Sequence, residues 1–138
     1  MDTASPAARV SLDYIAAVDV GDLDRLDQLL AQDVVDHHLP PGLPPGREGV
    51  RTWIRLVKQA LGLRVDVLDV FASGDRVAVR ARIRGRHVGD FGGMTATGRP
   101  FEAEYHSVER IVDGRIVERW EIADTAAISA QLTGESAV

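Results

Sequence analysis

The side chains able to move protons gather in two places. Asp33, Asp36, His37 and His38 lie in the first third, and His106, Glu118 and Asp124 in the last. On a strand, Glu118, Trp120, Ile122 and Asp124 share one face, because successive side chains point to opposite sides. This sets Asp124 in line with Trp120 and Ile122, two positions expected to be buried. A buried, unpaired carboxylate is costly. Asp124 is therefore either paired or lines a pocket where a perturbed acid is useful. Placed between apolar walls it could take a proton from a carbon next to a carbonyl and later return one to an alkoxide. The other reading is an N-cap for a helix starting near Thr125. His106, on the neighbouring strand, is expected to face the same cavity and to share a proton with Asp124 or bond a carbonyl oxygen.

The remaining candidates carry binding rather than bond-breaking roles. Adjacent histidines on a strand point to opposite faces, so one of His37 and His38 should face inward, and His37 is the expected one. Their spacing from Asp33 and Asp36 matches no established zinc motif, and no metal is expected. His87 shares the parity of Val77, Val79, Ala81 and Ile83 and is expected to close the inner end of the pocket. Phe91 follows in a loop able to cover a substrate. Tyr14, Trp53 and Trp120 are large surfaces at core-facing positions, able to pack in the core or to stack on a flat ligand. The expected site is thus Asp124 and His106 as the catalytic pair. Tyr14, His37, Trp53, His87, Phe91, Trp120 and Ile122 are expected to contact substrate.

These residues need elements to hold them. Apolar residues at helical spacing (Val10, Tyr14, Ala17, Val18) predict a helix over residues 7–20, ended by Gly21. Asp22 then caps a second helix striped by Leu23, Leu26, Leu29 and Leu30. A short strand over 34–37 leads into the loop LPPGLPPG, whose Pro and Gly forbid regular structure. A third helix over 47–61 has Val50, Trp53, Ile54, Val57 and Leu61 on its apolar face. Strands follow over 63–72, 76–87, 101–112 and 115–123. The last two meet at Asp113-Gly114, a strong hairpin signal. A helix over 125–132 closes the chain. Met1 to Ala8 lacks a basic segment followed by an apolar one, so no signal peptide is expected. The last few residues are expected to be disordered. Helices first and antiparallel strands after them give an α+β class.

Composition narrows the functions. The 138 residues suit one domain with an ordered core over about 7–132. A net charge of −5 argues against nucleic acid and anionic lipid as partners. No apolar run is long enough to span a bilayer, and the cytoplasm is the expected location. The absence of cysteine excludes thiolate chemistry. Arg76, Arg80, Arg82, Arg84 and Arg86 share one strand face but lack interleaved aromatics for base stacking. They read as a solvated face, or as a dimer contact, paired with glutamates such as Glu102 and Glu104. Gly89, Gly92, Gly93 and Gly98 form no phosphate loop and read as the lip of a cavity. Ser107 has no nucleophile-elbow context. Abundant arginine, a single lysine (Lys58) and no asparagine suggest a GC-rich genome such as an actinomycete's.

Several pieces, in order, resemble the SnoaL-like polyketide cyclase family. They are GDLDRLDQLLAQDVVDHH, PGREGVRTWI, GDRVAVRARIRGRHVGDFGG, TATGRPFEAEYHSVERIVDGRIVERWEIAD and the closing AQL. The resemblance covers residues 10–132. It implies the cone-shaped α+β barrel of nuclear transport factor 2 and ketosteroid isomerase. In that fold N-terminal helices pack on a strongly curved, mainly antiparallel sheet that encloses a pocket. It implies a cofactor-independent cyclase or isomerase of polyketide-type secondary metabolism, closing a ring by an intramolecular aldol reaction on a hydrophobic small molecule. A carboxylate on the last strand serves as acid/base in the family, and its position matches Asp124. The resemblance also implies a homodimer, and leaves open a hydrolase on the same fold or a non-catalytic binding protein. Fold alone does not decide among these.

Overall fold

The computed structural model describes residues 5–134, so the expected disorder of the last residues falls outside it. Helix α1 (Pro6–Val20) starts at Ser5, whose hydroxyl accepts the Ala8 N–H, and ends at Gly21 in the left-handed conformation. Helix α2 (Leu23–Leu29) is capped by Asp22 through the Arg25 N–H, the role its position predicts. Strand β1 (Leu30–Asp36) follows at once, four residues earlier than the strand expected over 34–37. Helix α3 (Gly46–Leu61) comes after the Pro/Gly loop and buries Val50, Ile54, Val57 and Leu61.

The last four strands and the final helix fall close to their expected bounds. They are β2 (Arg64–Ser73), β3 (Arg76–Arg86), β4 (Pro100–Val112), β5 (Arg115–Ala123) and α4 (Thr125–Thr133). The sheet order is β1-β5-β4-β3-β2, antiparallel except that β1 runs parallel to β5. The β4–β5 turn has positive φ at both Asp113 and Gly114, the geometry a two-residue hairpin with right-handed twist demands. Irregular registers interrupt β1–β5, β2–β3 and β4–β5, and such bulges bend a strand and increase its twist. The helices pack on one face of this bent sheet, which makes the α+β cone expected for the chain.

The opposite sheet face carries the charged rows. Arg80 bonds Asp69 and Glu104, Arg82 pairs with Glu102, and Arg84 bonds Asp66. Arg80, Arg82 and Arg84 of the arginine stripe are therefore paired within their own chain by cross-strand partners.

The register shift at the β4–β5 turn changes the reading of the last strand. Ile111 pairs with Ile116 but Arg110 pairs with Glu118, so β5 holds one extra residue, Val117. A single extra residue moves every later side chain to the other face. Ile116 is buried, and beyond the bulge Arg119 is inside at 2% exposure. Glu118, Trp120 and Ile122 consequently lie on the outer face, with Ile122 69% exposed. The burial expected for Trp120 and Ile122 is not what the strand delivers.

Candidate functional site

A cavity of about 620 Å³ opens between α1, α3 and α4 and the inner sheet face. Most of its wall is apolar: Ile15, Val18, Val50, Ile54, Val57 and Leu61 from helices, and Leu63, Val65, Ile83 and Phe101 from β2–β4 and the link before β2. Phe91 and Met94, bridged to each other by paired backbone hydrogen bonds in the loop after β3, complete one side. Phe91 packs against Trp53 with ring centroids 5.6 Å apart. The polar groups on the wall include Tyr14, His38, Tyr105, Arg119 and Glu121.

These polar groups form one bonded set around Arg119. Its Nη1 lies 2.6 Å from Asp36 Oδ2 and 3.0 Å from Glu121 Oε2. Its Nη2 donates to the Tyr105 hydroxyl at 2.7 Å and to Glu109 Oε2 at 3.3 Å. The guanidinium also stacks 4.9 Å from the Tyr14 ring. Burial works against the Arg119 charge. Glu121, the two tyrosine oxygens and Glu109 outweigh it and hold the guanidinium well above its ordinary value. It is a permanent cation.

The members differ in their access to the cavity. The Asp36 and Glu109 side chains are fully buried. Asp36 is used up, since Oδ1 accepts the His38 N–H and Oδ2 takes Arg119. The Glu121 side chain is 17% exposed and is on the wall. Its Oε2 takes the Tyr105 hydroxyl at 2.9 Å and the Arg119 ion pair, while Oε1 has no hydrogen-bond donor among the described residues. The Tyr14 hydroxyl likewise has no partner among the described residues, and burial pushes it far up from its ordinary value, so it stays a neutral donor. Tyr105 is pushed up by burial in the same way. His38 Nδ1 accepts the Glu121 backbone N–H at 3.2 Å. In the neutral ring this tautomer puts the hydrogen on Nε2.

The expected site residues divide sharply. Tyr14, Trp53, Phe91 and Ile122 line the cavity, Ile122 from its exposed rim. Asp124 does not line it. It follows β5 directly, its Oδ1 accepts the Ala127 N–H at 3.0 Å, and it caps α4, the second of its two expected roles. His106 faces outward, its side chain 61% exposed and 3.6 Å from Glu104, so it does not meet Asp124 in the cavity. His37 is also outside, stacked on Trp120 at 5.0 Å and bonded to Glu118 at 2.7 Å. That bond holds Glu118 below the usual carboxylate value. The inward histidine is His38, because Val34, Asp36 and His38 keep one parity. Trp120 borders a shallow outer hollow with His106, Phe71 and Val108 instead of the cavity. His87 is fully buried and anchors the loop after β3, its Nδ1 accepting the Thr97 N–H. It is not on the cavity wall.

Sequence reasoning missed Arg119, Glu121, Tyr105 and His38 as wall residues. No short stretch of sequence signals this, because Ile116 and Arg119 both face inward only across the bulge at Val117. Among the described residues no group of three or more His, Asp or Glu side chains could hold a metal ion. No helix among them is long and apolar enough to cross a membrane.

The family model for the SnoaL-like polyketide cyclases matches residues 8–132. The chain belongs to the SnoaL-like polyketide cyclase family. It is 40% identical over 112 residues to the aklanonic acid methyl ester cyclase DauD of Streptomyces sp. (strain C5), a match covering 75% of this chain and 69% of that one. It is 40% identical over 81 residues to the aklanonic acid methyl ester cyclase DnrD of Streptomyces peucetius, covering 59% of this chain. That match spans 55% of DnrD, little more than half its length. The crystal structure of IdmH from Streptomyces antibioticus superposes with a TM-score of 0.80 at 35% identity, over 92% of this chain and 98% of that one.

Proposed function

We propose that the protein is a cofactor-independent cyclase or isomerase that closes a ring on a polyketide-type small molecule in the 620 Å³ cavity. One observation carries this reading: Glu121 brings a carboxylate with an unbonded oxygen to the polar end of an otherwise apolar chamber. The size lies within the about 300–1,000 Å³ of small-molecule pockets. The family match and the cyclases DauD and DnrD support the same class of chemistry.

In this reading Glu121 Oε1 removes a proton from the carbon between two carbonyls. The resulting enolate carbon attacks the carbon of a third carbonyl farther along the same molecule, forming the new carbon–carbon bond and an alkoxide. The alkoxide takes the proton back from Glu121, so the product has the mass of the substrate. Tyr14 O–H and His38 Nε2–H are the donors for the developing oxyanion, and donors already in place cost no reorganisation during the step. Tyr105 and Arg119 fix the Glu121 carboxylate in position. Trp53 and Phe91 hold the flat body of the ligand. Asp124 serves α4 in this scheme and stays out of the chemistry.

The test is incubation with a panel of polyketide methyl esters, quinones and epoxides, followed by mass spectrometry. A product of unchanged mass and new retention time, absent with Glu121→Gln, supports ring closure or isomerisation. Binding without any product would make the chain a binding protein.

A hydrolase is the second reading, favoured by the Arg119 guanidinium lying between the carboxylates of Asp36 and Glu121. A carboxylate beside a fixed arginine can orient a water. A product heavier by one water in the same panel identifies it.

We place a homodimer contact on the outer sheet face. Phe71, Val108 and Ile122 are exposed there around Trp120, and grouped apolar side chains on a surface mark an interaction site.

A further inference from the structure

An arginine at the polar end of an apolar cavity would ordinarily mark a site for a carboxylate or phosphate ligand. The bonding around Arg119 points the other way. Nη1 is shared by Asp36 and Glu121, and Nη2 by Tyr105 and Glu109. Nε is buried. None of its terminal donors is left to meet a ligand anion. Three carboxylates surround this one guanidinium, an excess of two formal negative charges. Two of the three, Asp36 and Glu109, are fully buried and not on the wall, so they act on a ligand only through their field.

We propose that Asp36 and Glu109 are specificity-determining residues that make the cavity select against anionic ligands. A carboxylate ligand reaching the polar end meets this excess of negative charge behind apolar walls, where a charge is weakly screened. A ketone or ester presents the same carbonyl oxygen to Tyr14 and His38 without that repulsion. The residue that looks like an anion receptor is a clamp for Glu121. The inference rests on the cavity being the substrate site and adds which ligands it admits.

The test uses three matched flat probes: anthraquinone-2-carboxylic acid, its methyl ester, and the 2-aminomethyl analogue. Binding is read by quenching of Trp53 in a Trp120→Phe background, which leaves the cavity tryptophan as sole reporter. The ester should bind at least about tenfold more tightly than the acid. The acid should also bind more weakly than the cationic amine. That comparison separates the sign of the charge from the cost of desolvating any charge. Glu109→Gln should close most of the gap between acid and amine, and Asp36→Asn provides the same reading if Glu109→Gln does not fold. An acid that binds as tightly as the amine in the wild-type cavity overturns the proposal, as does an unchanged gap in a folded variant. Failure of all three probes to quench Trp53 overturns the cavity reading itself, and the selection with it.

Discussion

Tyr105 donates its hydroxyl hydrogen to Glu121 Oε2 at 2.9 Å while accepting from Arg119 Nη2 at 2.7 Å. The phenol thus braces the Glu121 carboxylate beside the guanidinium, which also contacts it directly at 3.0 Å. Removing the phenol takes away one of the two holds on Glu121, the other being the Arg119 ion pair, and leaves buried partners unpaired. Tyr105→Phe should lower kcat about 10- to 100-fold with a smaller change in KM, and should cost about 1–3 kcal/mol of stability. Steady-state kinetics beside a urea melt check both.

The two tyrosines of the chain, Tyr14 and Tyr105, are both pushed up by burial. Their raised folded values mean that the folded state resists ionisation while the unfolded chain loses these protons near 10. Stability from this source is complete below that pH and falls as pH rises above it. Absorbance of tyrosinate near 295 nm should therefore stay flat past pH 10 and rise only with unfolding. A smooth titration of either phenol in the native protein would contradict the burial of that ring.

Asp19, at the end of α1, accepts Arg64 Nε at 2.8 Å and the Val65 N–H at 2.9 Å. The Arg64 side chain, with help from that N–H, holds its carboxyl below the usual value of 3.8. A lowered carboxyl contributes stability above its unfolded value and loses it as pH falls through the folded one. Asp19→Asn should melt earlier than wild type at pH 7, and the difference should shrink as pH drops below 3.8. A difference that stays constant with pH would assign the loss to something other than charge.

Gly85 shows how closely β3 meets the end of α3. A β-carbon there would overlap the carbonyl oxygen of Leu61 and press on the Phe101 ring. Since Leu61 and Phe101 are both on the cavity wall, Gly85→Ala should cost about 1–3 kcal/mol and weaken ligand binding together. Thermal melts and probe binding measure the two effects.

Much of the frame was legible in the residues. The Asp22 cap, the Gly21 stop, the α3 stripe and the Asp113-Gly114 turn act through local geometry, which short stretches of sequence carry. The site was less legible because it depends on parity across a bulge. Val117 is an unremarkable valine, yet its insertion in β5 turns Trp120 outward and Arg119 inward. An arginine at an inward position also reads as an error until its partners are known, and these come from β1 and β4, 83 and 10 residues away. The resemblance matched the family's last-strand carboxylate to Asp124, which is not on the cavity wall. Geometry then separates Glu121, which faces the cavity, from Asp124, which caps α4.

In solution the outer sheet face should hold two copies together. Light scattering at micromolar concentration should report about twice the 15.0 kDa of one chain. Ile122→Lys and Phe71→Glu should shift it to one. A single-chain mass for the wild type would remove the dimer contact.

The most direct measurement compares Glu121→Gln with Asp124→Asn on a polyketide methyl ester that the wild type converts. Glu121→Gln should lose about 100-fold or more in kcat while still binding the ligand. Asp124→Asn should keep its kcat within about threefold, because asparagine also caps a helix. Loss of turnover in Asp124→Asn with activity retained in Glu121→Gln would contradict the account and move the chemistry to the end of β5.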